Sequence, residues 1–251
     1  MECSFNDRII LVTGGTMGIG ASIVNNLLDS TAEIIVTGIE NDQATNKLIN
    51  QFNCKSKNQV RYLSVDFANE KSFKKFLNIL DEYNKIDVCI NNAGININNP
   101  IDEVNLADYK QLLEVNLNAP FLITRLVSRK MKENKYGRIV NIASIWSVIT
   151  KAGRASYSIT KHGIIGLTKT SAVDLAPYNI LVNAVSPGFV LTELTKNTLR
   201  EDGIKEVSEI IPMKRLAEPS EISKIVLFLA SDLNTYITGQ NIVIDGGFTI
   251  V

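Results

Sequence analysis

Tyr157, Lys161 and His162 lie close together in the stretch YSITKHG, residues 157–163. Tyr157 and Lys161 are four residues apart, so on a helix their side chains share one face with Cβ atoms about 5–6 Å apart. A titratable hydroxyl beside an ammonium is the raw material of an acid/base group. The same spacing also describes a partly buried tyrosine beside a solvated lysine, and the rest of the chain has to decide between them. His162, the single histidine, points about 100° away from Lys161 on the same helix. It is assigned to packing or a subunit interface, not to the pair.

A second group of residues has chemistry in its backbone. The run RIILVTGGTMGIG, residues 8–20, carries an apolar strand straight into glycines at 14, 15, 18 and 20 and then into the helical pattern ASIVNNLL. Glycines at such a turn let the main chain approach an anion, and a helix N-terminus supplies free amides and a positive dipole end. The spacing departs from the GxGxxG dinucleotide fingerprint and lacks the GKS or GKT of a nucleoside-triphosphate loop. What it offers is a phosphate or pyrophosphate cradle on the first strand.

The elements that must position these groups alternate along the chain. Strands are predicted at Ile9–Thr13, Glu33–Gly38, Val60–Val65, Ile86–Asn91, Gly137–Ala143, Ile180–Val185 and Asn241–Ile244, with helical patterns between them. That alternation predicts an α/β fold: a Rossmann-type doubly wound, seven-stranded parallel sheet with helices on both faces. Asn105–Met131 reads as the longest helix, with Asn105 as N-cap and Asp108 completing a capping box. Pro219 opens another helix, whose Ile222, Ile225, Val226 and Leu229 form a core stripe. The less regular stretch at about 189–218 reads as a lid over a site. Residues 1–251 are read as one dinucleotide-binding and catalytic domain.

Composition narrows the function. The 251 residues are 45% hydrophobic and 21% charged, with 26 basic and 26 acidic side chains. A net charge of zero leaves no field for a nucleic-acid backbone or an anionic membrane. Cys3, Cys54 and Cys89 show no metal-binding spacing, which predicts buried thiols in a reducing compartment and no metal site. The N-terminal apolar run is too short for a signal peptide, and Ile225–Ala230, the longest apolar run, is too short to cross a bilayer. A cytoplasmic protein is expected.

The loop TGGTMGIG resembles the TGxxxGxG cofactor loop of the short-chain dehydrogenase/reductase family in its short, single-domain branch. The likeness continues in order through VD at Val65 and Asp66, NNAG at Asn91–Gly94, VN at Val115 and Asn116, and NIAS ending at Ser144. It then runs through YSITK at Tyr157–Lys161, SPGFVLT at Ser186–Thr192 and ITGQNIVIDGG near the C-terminus. The resemblance implies an oxidoreductase moving a hydride between a nicotinamide cofactor and a carbonyl or secondary alcohol. It makes Tyr157 the general acid/base, Lys161 the group that lowers its pKa and holds the nicotinamide ribose, Ser144 the hydrogen-bonding partner of the substrate oxygen, and Asn116 the anchor of a proton relay. One cation at about 4 Å is worth roughly 4 kcal/mol at an effective dielectric of ~20. That is enough to bring a hydroxyl from ~10 to ~7 at ~1.4 kcal/mol per tenfold.

The same resemblance assigns cofactor contacts to Gly14, Thr16, Met17, Gly18, Ile19 and Gly20 in the loop, and to Gly38, Ile39 and Glu40 after the second strand. Asp66 and Phe67 follow the third strand, Asn92, Ala93 and Gly94 the fourth, and Pro187, Gly188, Val190 and Thr192 the sixth. Gly38 and Ile39 replace the Asp and Arg that distinguish NAD from NADP users in the family. Glu40 and Asp42 put negative charge there instead, worth about 1–3 kcal/mol of repulsion per unit charge on a 2′-phosphate at ~5 Å. NAD(H) is therefore expected over NADP(H).

Family substrates include 3-oxoacyl thioesters, sugars and polyols, and fold does not choose among them. Arg129, Lys130, Lys132 and Lys135 offer a basic edge to an acidic carrier protein, whereas Val173 stands where the carrier-protein reductases often have arginine. A small-molecule substrate, free or carrier-bound, is expected. A sugar or polyol dehydrogenase is the alternative activity, and a catalytically silent NAD(P)-binding sensor the alternative outside catalysis. Trp146 reads equally as a pocket wall and as core. By resemblance, the helices around Asn105–Met131 and Ser156–Leu175 pair between subunits in a homotetramer.

Overall fold

The computed structural model describes residues 3–251, with the side chains of all of these except positions 194, 197, 198 and 200. In chain order the elements are β1 (Ile9–Val12), α1 (Gly18–Leu27), β2 (Glu33–Gly38), α2 (Gln43–Lys55), β3 (Val60–Ser64), α3 (Glu70–Asp81) and β4 (Val88–Asn91). They continue with α4 (Leu106–Leu113), α5 (Ala119–Asn134), β5 (Gly137–Ile142), α6 (Ala155–Leu175), β6 (Ile180–Pro187), α7 (Glu193–Ile210), α8 (Pro219–Ala230) and β7 (Asn241–Ile244). The seven strands form one parallel sheet in the order β3-β2-β1-β4-β5-β6-β7.

Alternation along each strand divides the core in two. Ile10 and Val12 of β1 face a layer with Ile23, Val24 and Leu27 of α1 and Ile222 and Val226 of α8. Leu11 faces the other layer, where α3 supplies Phe73, Phe76 and Leu80 and α5 supplies Ile123, Val127 and Met131. Covering on both sides is why the strands read as continuous apolar runs. One polar line crosses the second layer: Asn91 Nδ2 donates to Asn141 Oδ1 at 2.8 Å and Asn141 Nδ2 to Thr168 Oγ1 at 2.9 Å. These bonds tie β4, β5 and α6 together just beneath the ends of the strands.

Several helix starts follow their sequence signals. Asp42 caps α2 by accepting from the Thr45 N–H at 2.8 Å, and Thr192 caps α7 by accepting from the Thr195 N–H at 3.2 Å. Pro219 is the first residue of α8, with Glu218 and Glu221 forming a capping box. The segment at 189–218 contains the eighteen-residue α7.

Asn105–Met131 does lie in one continuous helical stretch, in which α4 passes through a π-helical turn at Glu114–Asn118 into α5, and α6, at 21 residues, is the longest stretch of uninterrupted α-helix. Two expectations need correction. The cap of α4 binds Ala107 N–H at 2.8 Å and not Asp108. Only Cys89 is buried; Cys3 and Cys54 are exposed on the surface.

Candidate active site

Strand order reverses between β1 and β4, and open α/β sheets bind ligands at the carboxyl ends of the strands at such a point. The loop after β1 and the residues after β4 are knitted together there. Thr13 Oγ1 accepts from the N–H groups of Asn92 at 2.9 Å and Ala93 at 3.0 Å. Asn92 Nδ2 returns the contact to the carbonyls of Thr13 at 3.0 Å and Gly14 at 2.9 Å. Gly14 has φ +62° and donates to Thr37 Oγ1 at 3.1 Å. A Cβ on Gly14 would lie 2.9 Å from Ala93 Cα, and one on Gly20 only 2.1 Å from the Gly14 carbonyl oxygen. Glycine at these positions is therefore a packing requirement.

The same loop leaves donors free. Met17, the N-cap of α1, has extended backbone and makes no side-chain cap bond. The first amides of α1 thus lack a side-chain acceptor, unlike those of α2 and α7. A cradle closed by glycines with uncapped amides fits the pyrophosphate of a dinucleotide. Thr16 and Ile19 flank it, with Ile19 partly buried against the core and Met17 mostly exposed. Thr192 approaches from β6, placing its methyl 3.1 Å from a Cβ built on Gly18.

Ser144 follows the carboxyl end of β5, and Tyr157 and Lys161 lie on the first turns of α6. Ser144 Oγ accepts from the Trp146 N–H at 3.3 Å. Lys161 is buried and its Nζ donates to the Ile142 carbonyl at 2.9 Å. Burial pushes the Tyr157 hydroxyl up to about 12, while a Ser144 hydrogen bond and the Arg154 guanidinium pull the other way. Burial also brings the Lys161 ammonium down to about 8. Lys161 turns to a carbonyl, with Nζ 5.5 Å from the Tyr157 ring centre.

Asn116 sits inside the π turn, 1% exposed. Its Oδ1 accepts from the Ile95 N–H at 2.8 Å and its Nδ2 donates to the Ile95 carbonyl at 2.8 Å. The side chain thus pairs with the backbone after β4 as another strand would. Gly94 lies between Asn116 and Lys161: a Cβ there would be 3.3 Å from Asn116 Oδ1 and 3.6 Å from Lys161 Nζ.

The remaining predicted residues lie at or after the ends of β2, β3 and β6. At the end of β2, Ile39 and Glu40 are exposed. Asp66 Oδ1 accepts from the Ala68 N–H at 2.9 Å. The Phe67 ring is buried edge-on against Phe73 and Phe76. Pro187 ends β6, Gly188 packs against Asp245, and Val190 is buried and bridged to Ala217. His162 is exposed and its Nδ1 contacts the Ser158 carbonyl at 2.9 Å, away from the site. Trp146 is buried and packs edge-on against Phe189, which in turn packs against Phe248.

Two residues near the cleft are not evident from the motifs. The Tyr62 hydroxyl would lie 2.9 Å from a Cβ on Gly38, and it donates to the Glu40 carbonyl. Arg154, three residues before Tyr157, donates to Asn98 Oδ1 at 2.6 Å. Helical spacing from Tyr157 is the one signal that pointed to Arg154.

The family model described as enoyl-(acyl carrier protein) reductase matches residues 14–249. The chain belongs to the short-chain dehydrogenase/reductase family. Among its curated relatives, the 3-oxoacyl-(acyl-carrier-protein) reductase FabG of Aquifex aeolicus is 38% identical over 250 residues, covering 98% of this chain and 99% of the relative. A cyclopentanol dehydrogenase of Comamonas testosteroni is 33% identical over 248 residues, covering 97% and 98%. Among solved structures, a gluconate 5-dehydrogenase from Burkholderia cenocepacia in complex with NADP and tartrate superposes with a TM-score of 0.89 at 28% identity, covering 99% of this chain and 97% of that one. As a short-chain dehydrogenase/reductase the protein is an NAD(P)-dependent oxidoreductase. No helix among the described residues is long and apolar enough to cross a membrane.

Proposed function

We propose that this oxidoreductase interconverts a carbonyl and a secondary alcohol with Tyr157 as general acid/base, in one domain spanning residues 1–251. The observation that carries the reading is the convergence of Ser144, Tyr157 and Lys161 at the carboxyl end of β5 beside the glycine loop. When bound, the dinucleotide supplies or accepts the hydride. In reduction the Tyr157 hydroxyl gives its proton to the substrate oxygen, and in oxidation the phenolate takes it back. Ser144 holds that oxygen in line, and buried Lys161 favours the phenolate once turned from Ile142. Asn116 keeps the Gly94–Ile95 backbone in register beside the lysine. The segment at 189–218, carrying Thr192 and α7, closes over the substrate as a lid.

The dinucleotide contacts are those of the loop, Gly38 to Glu40, Asp66, the backbone of Phe67, Asn92 to Gly94, and Pro187 to Thr192. NAD(H) is preferred over NADP(H), because the ribose end carries Glu40 and Tyr62. The Tyr62 proton is committed to a carbonyl, so its oxygen offers the ligand only an acceptor. A 2′-hydroxyl can donate to it, whereas a phosphate dianion cannot.

A 3-oxoacyl thioester, free or carrier-bound, is the first substrate candidate, in keeping with the FabG relative. A sugar or polyol is the second, in keeping with the gluconate dehydrogenase likeness. The protein works in the cytoplasm, where its exposed Cys3 and Cys54 stay reduced. It assembles as a tetramer that covers Leu106, Phe121, Ile159 and Val173, apolar side chains left exposed on α4, α5 and α6. A panel of ketones and alcohols with NADH and NADPH, followed by nicotinamide absorbance, tests the reading. Turnover that survives Tyr157→Phe contradicts the mechanism, a higher kcat/KM with NADPH contradicts the preference, and a monomer by light scattering contradicts the assembly.

A further inference from the structure

Arg154 stands at the N-cap position of α6, three residues before Tyr157, without a side-chain capping bond, and the mechanism above gives it no partner. Its guanidinium is half-buried and lies 5.2 Å from the centre of the Trp146 ring. The Lys151 ammonium approaches the same ring at 5.6 Å. Two guanidiniums are neutralised by carboxylates: Arg8 pairs with Asp232 at 3.1 Å and Arg215 with Glu221 at 2.6 Å. Among the described residues, neither Arg154 nor Lys151 forms an ion pair with a carboxylate.

A guanidinium carries five N–H donors, and Asn98 takes one of them. Removing such a cation from water without a counter-charge is unfavourable, and burial holds Arg154 below its ordinary value. From the N-cap position of α6 the Arg154 charge favours the Tyr157 phenolate, so a group bound to it lies at the Tyr157 end of that helix. Trp146 follows Ser144 by two residues, and both cations approach its ring.

We propose that Arg154, assisted by Lys151, binds an anionic group of the substrate, a carboxylate or a phosphate, while Ser144 and Tyr157 hold the reacting oxygen. This rests on Tyr157 being the acid/base. It selects an oxo or hydroxy acid, or a sugar phosphate, over a neutral carbonyl compound, because a guanidinium fork matches both anions through paired hydrogen bonds.

Three matched pairs test it with NADH or NAD⁺ as the direction requires: gluconate against sorbitol, acetoacetate against acetone, and fructose 6-phosphate against fructose. In at least one pair the charged member has the higher kcat/KM, by about tenfold to a hundredfold. Arg154→Gln collapses that ratio toward one and Arg154→Lys restores part of it. An influence of Arg154 on Tyr157 alone would instead lower both members alike and leave the ratio standing. Neutral members turned over as well as charged ones in every pair, or a ratio unchanged in Arg154→Gln, overturn the proposal.

Trp146 is the only tryptophan and reports binding without turnover. With NADH saturating, gluconate or inorganic phosphate should change its fluorescence saturably, and Arg154→Gln should weaken that response. Where no pair is turned over this arm decides, and the absence of a saturable anion response overturns the proposal. Failure of the acid/base reading shows separately, as turnover of the neutral members that Tyr157→Phe does not reduce.

Discussion

The Lys161 ammonium stands 5.5 Å from the centre of the Tyr157 ring and donates to the Ile142 carbonyl at 2.9 Å. The lysine is 4% exposed and faces a carbonyl but no carboxylate. A charge kept there in the absence of ligand is held for function at the expense of stability.

Replacement of Lys161 by methionine should therefore raise the melting temperature while abolishing turnover. The Lys161 pKa falls from 10.5 to about 8 on folding, so between those values the unfolded chain binds more protons. Stability accordingly rises with pH across that window. Tyr157, raised from 10.0 to about 12, contributes stability that is full below about pH 10 and fades as pH rises through about 12. Thermal melts of wild type and Lys161→Met at about pH 7 and about pH 9.5 check the sign. The advantage of the methionine variant, on the order of 1–3 kcal/mol at the lower pH, should shrink at the higher one.

Gly20→Ala should cost dinucleotide affinity more than catalysis. The new Cβ would lie 2.1 Å from the Gly14 oxygen and 2.6 Å from Asn92 Nδ2, so the cradle has to open. Overpacking of this kind costs about 1–3 kcal/mol, and NADH titration followed by fluorescence should show a dissociation constant raised about tenfold or more. Unaltered affinity would mean that the cradle is elsewhere.

Asn116→Ala removes both bonds to Ile95. Leaving that amide and carbonyl unmet costs about 1–3 kcal/mol, visible in urea melts. Turnover should fall as well, because the backbone beside Lys161 is released. Asn116→Asp keeps the acceptor for the Ile95 N–H but sets a buried carboxylate oxygen against the Ile95 carbonyl, so it should not restore the stability of asparagine.

Tyr62→Phe deletes one acceptor at the ribose end. KM for NADH should rise several-fold while kcat with saturating NADH holds, and KM for NADPH should move less. Equal shifts for both cofactors would show that Tyr62 only packs against Gly38.

How much of this was legible follows from where each signal resides. The strands were readable because a sheet covered on both faces demands continuous apolar runs, and every position of β5 and β6 is buried. The candidate positions were picked out because the glycine spacing, Ser144, Tyr157 and Lys161 occur in the order in which the resemblance to the family carries them. The π turn at Glu114–Asn118 was not, because it is an in-line widening of a continuous helix with apolar residues on both sides of it. Tyr62 reaches Gly38 only through the pairing of β2 with β3, which sets Val36 against Tyr62 and Gly38 against Ser64. Phe67 adjoins Asp66, yet its ring serves the aromatic cluster with Phe73 and Phe76, a choice decided by packing.

The most direct test is steady-state carbonyl reduction by Tyr157→Phe with a substrate the wild type turns over. The phenyl ring fills the same space and lacks only the hydroxyl, so NADH affinity should be preserved. With the proton donor gone, kcat should fall by about 10²–10⁴-fold. A variant that binds NADH normally and reduces the carbonyl at the wild-type rate would contradict the assignment of Tyr157 as acid/base.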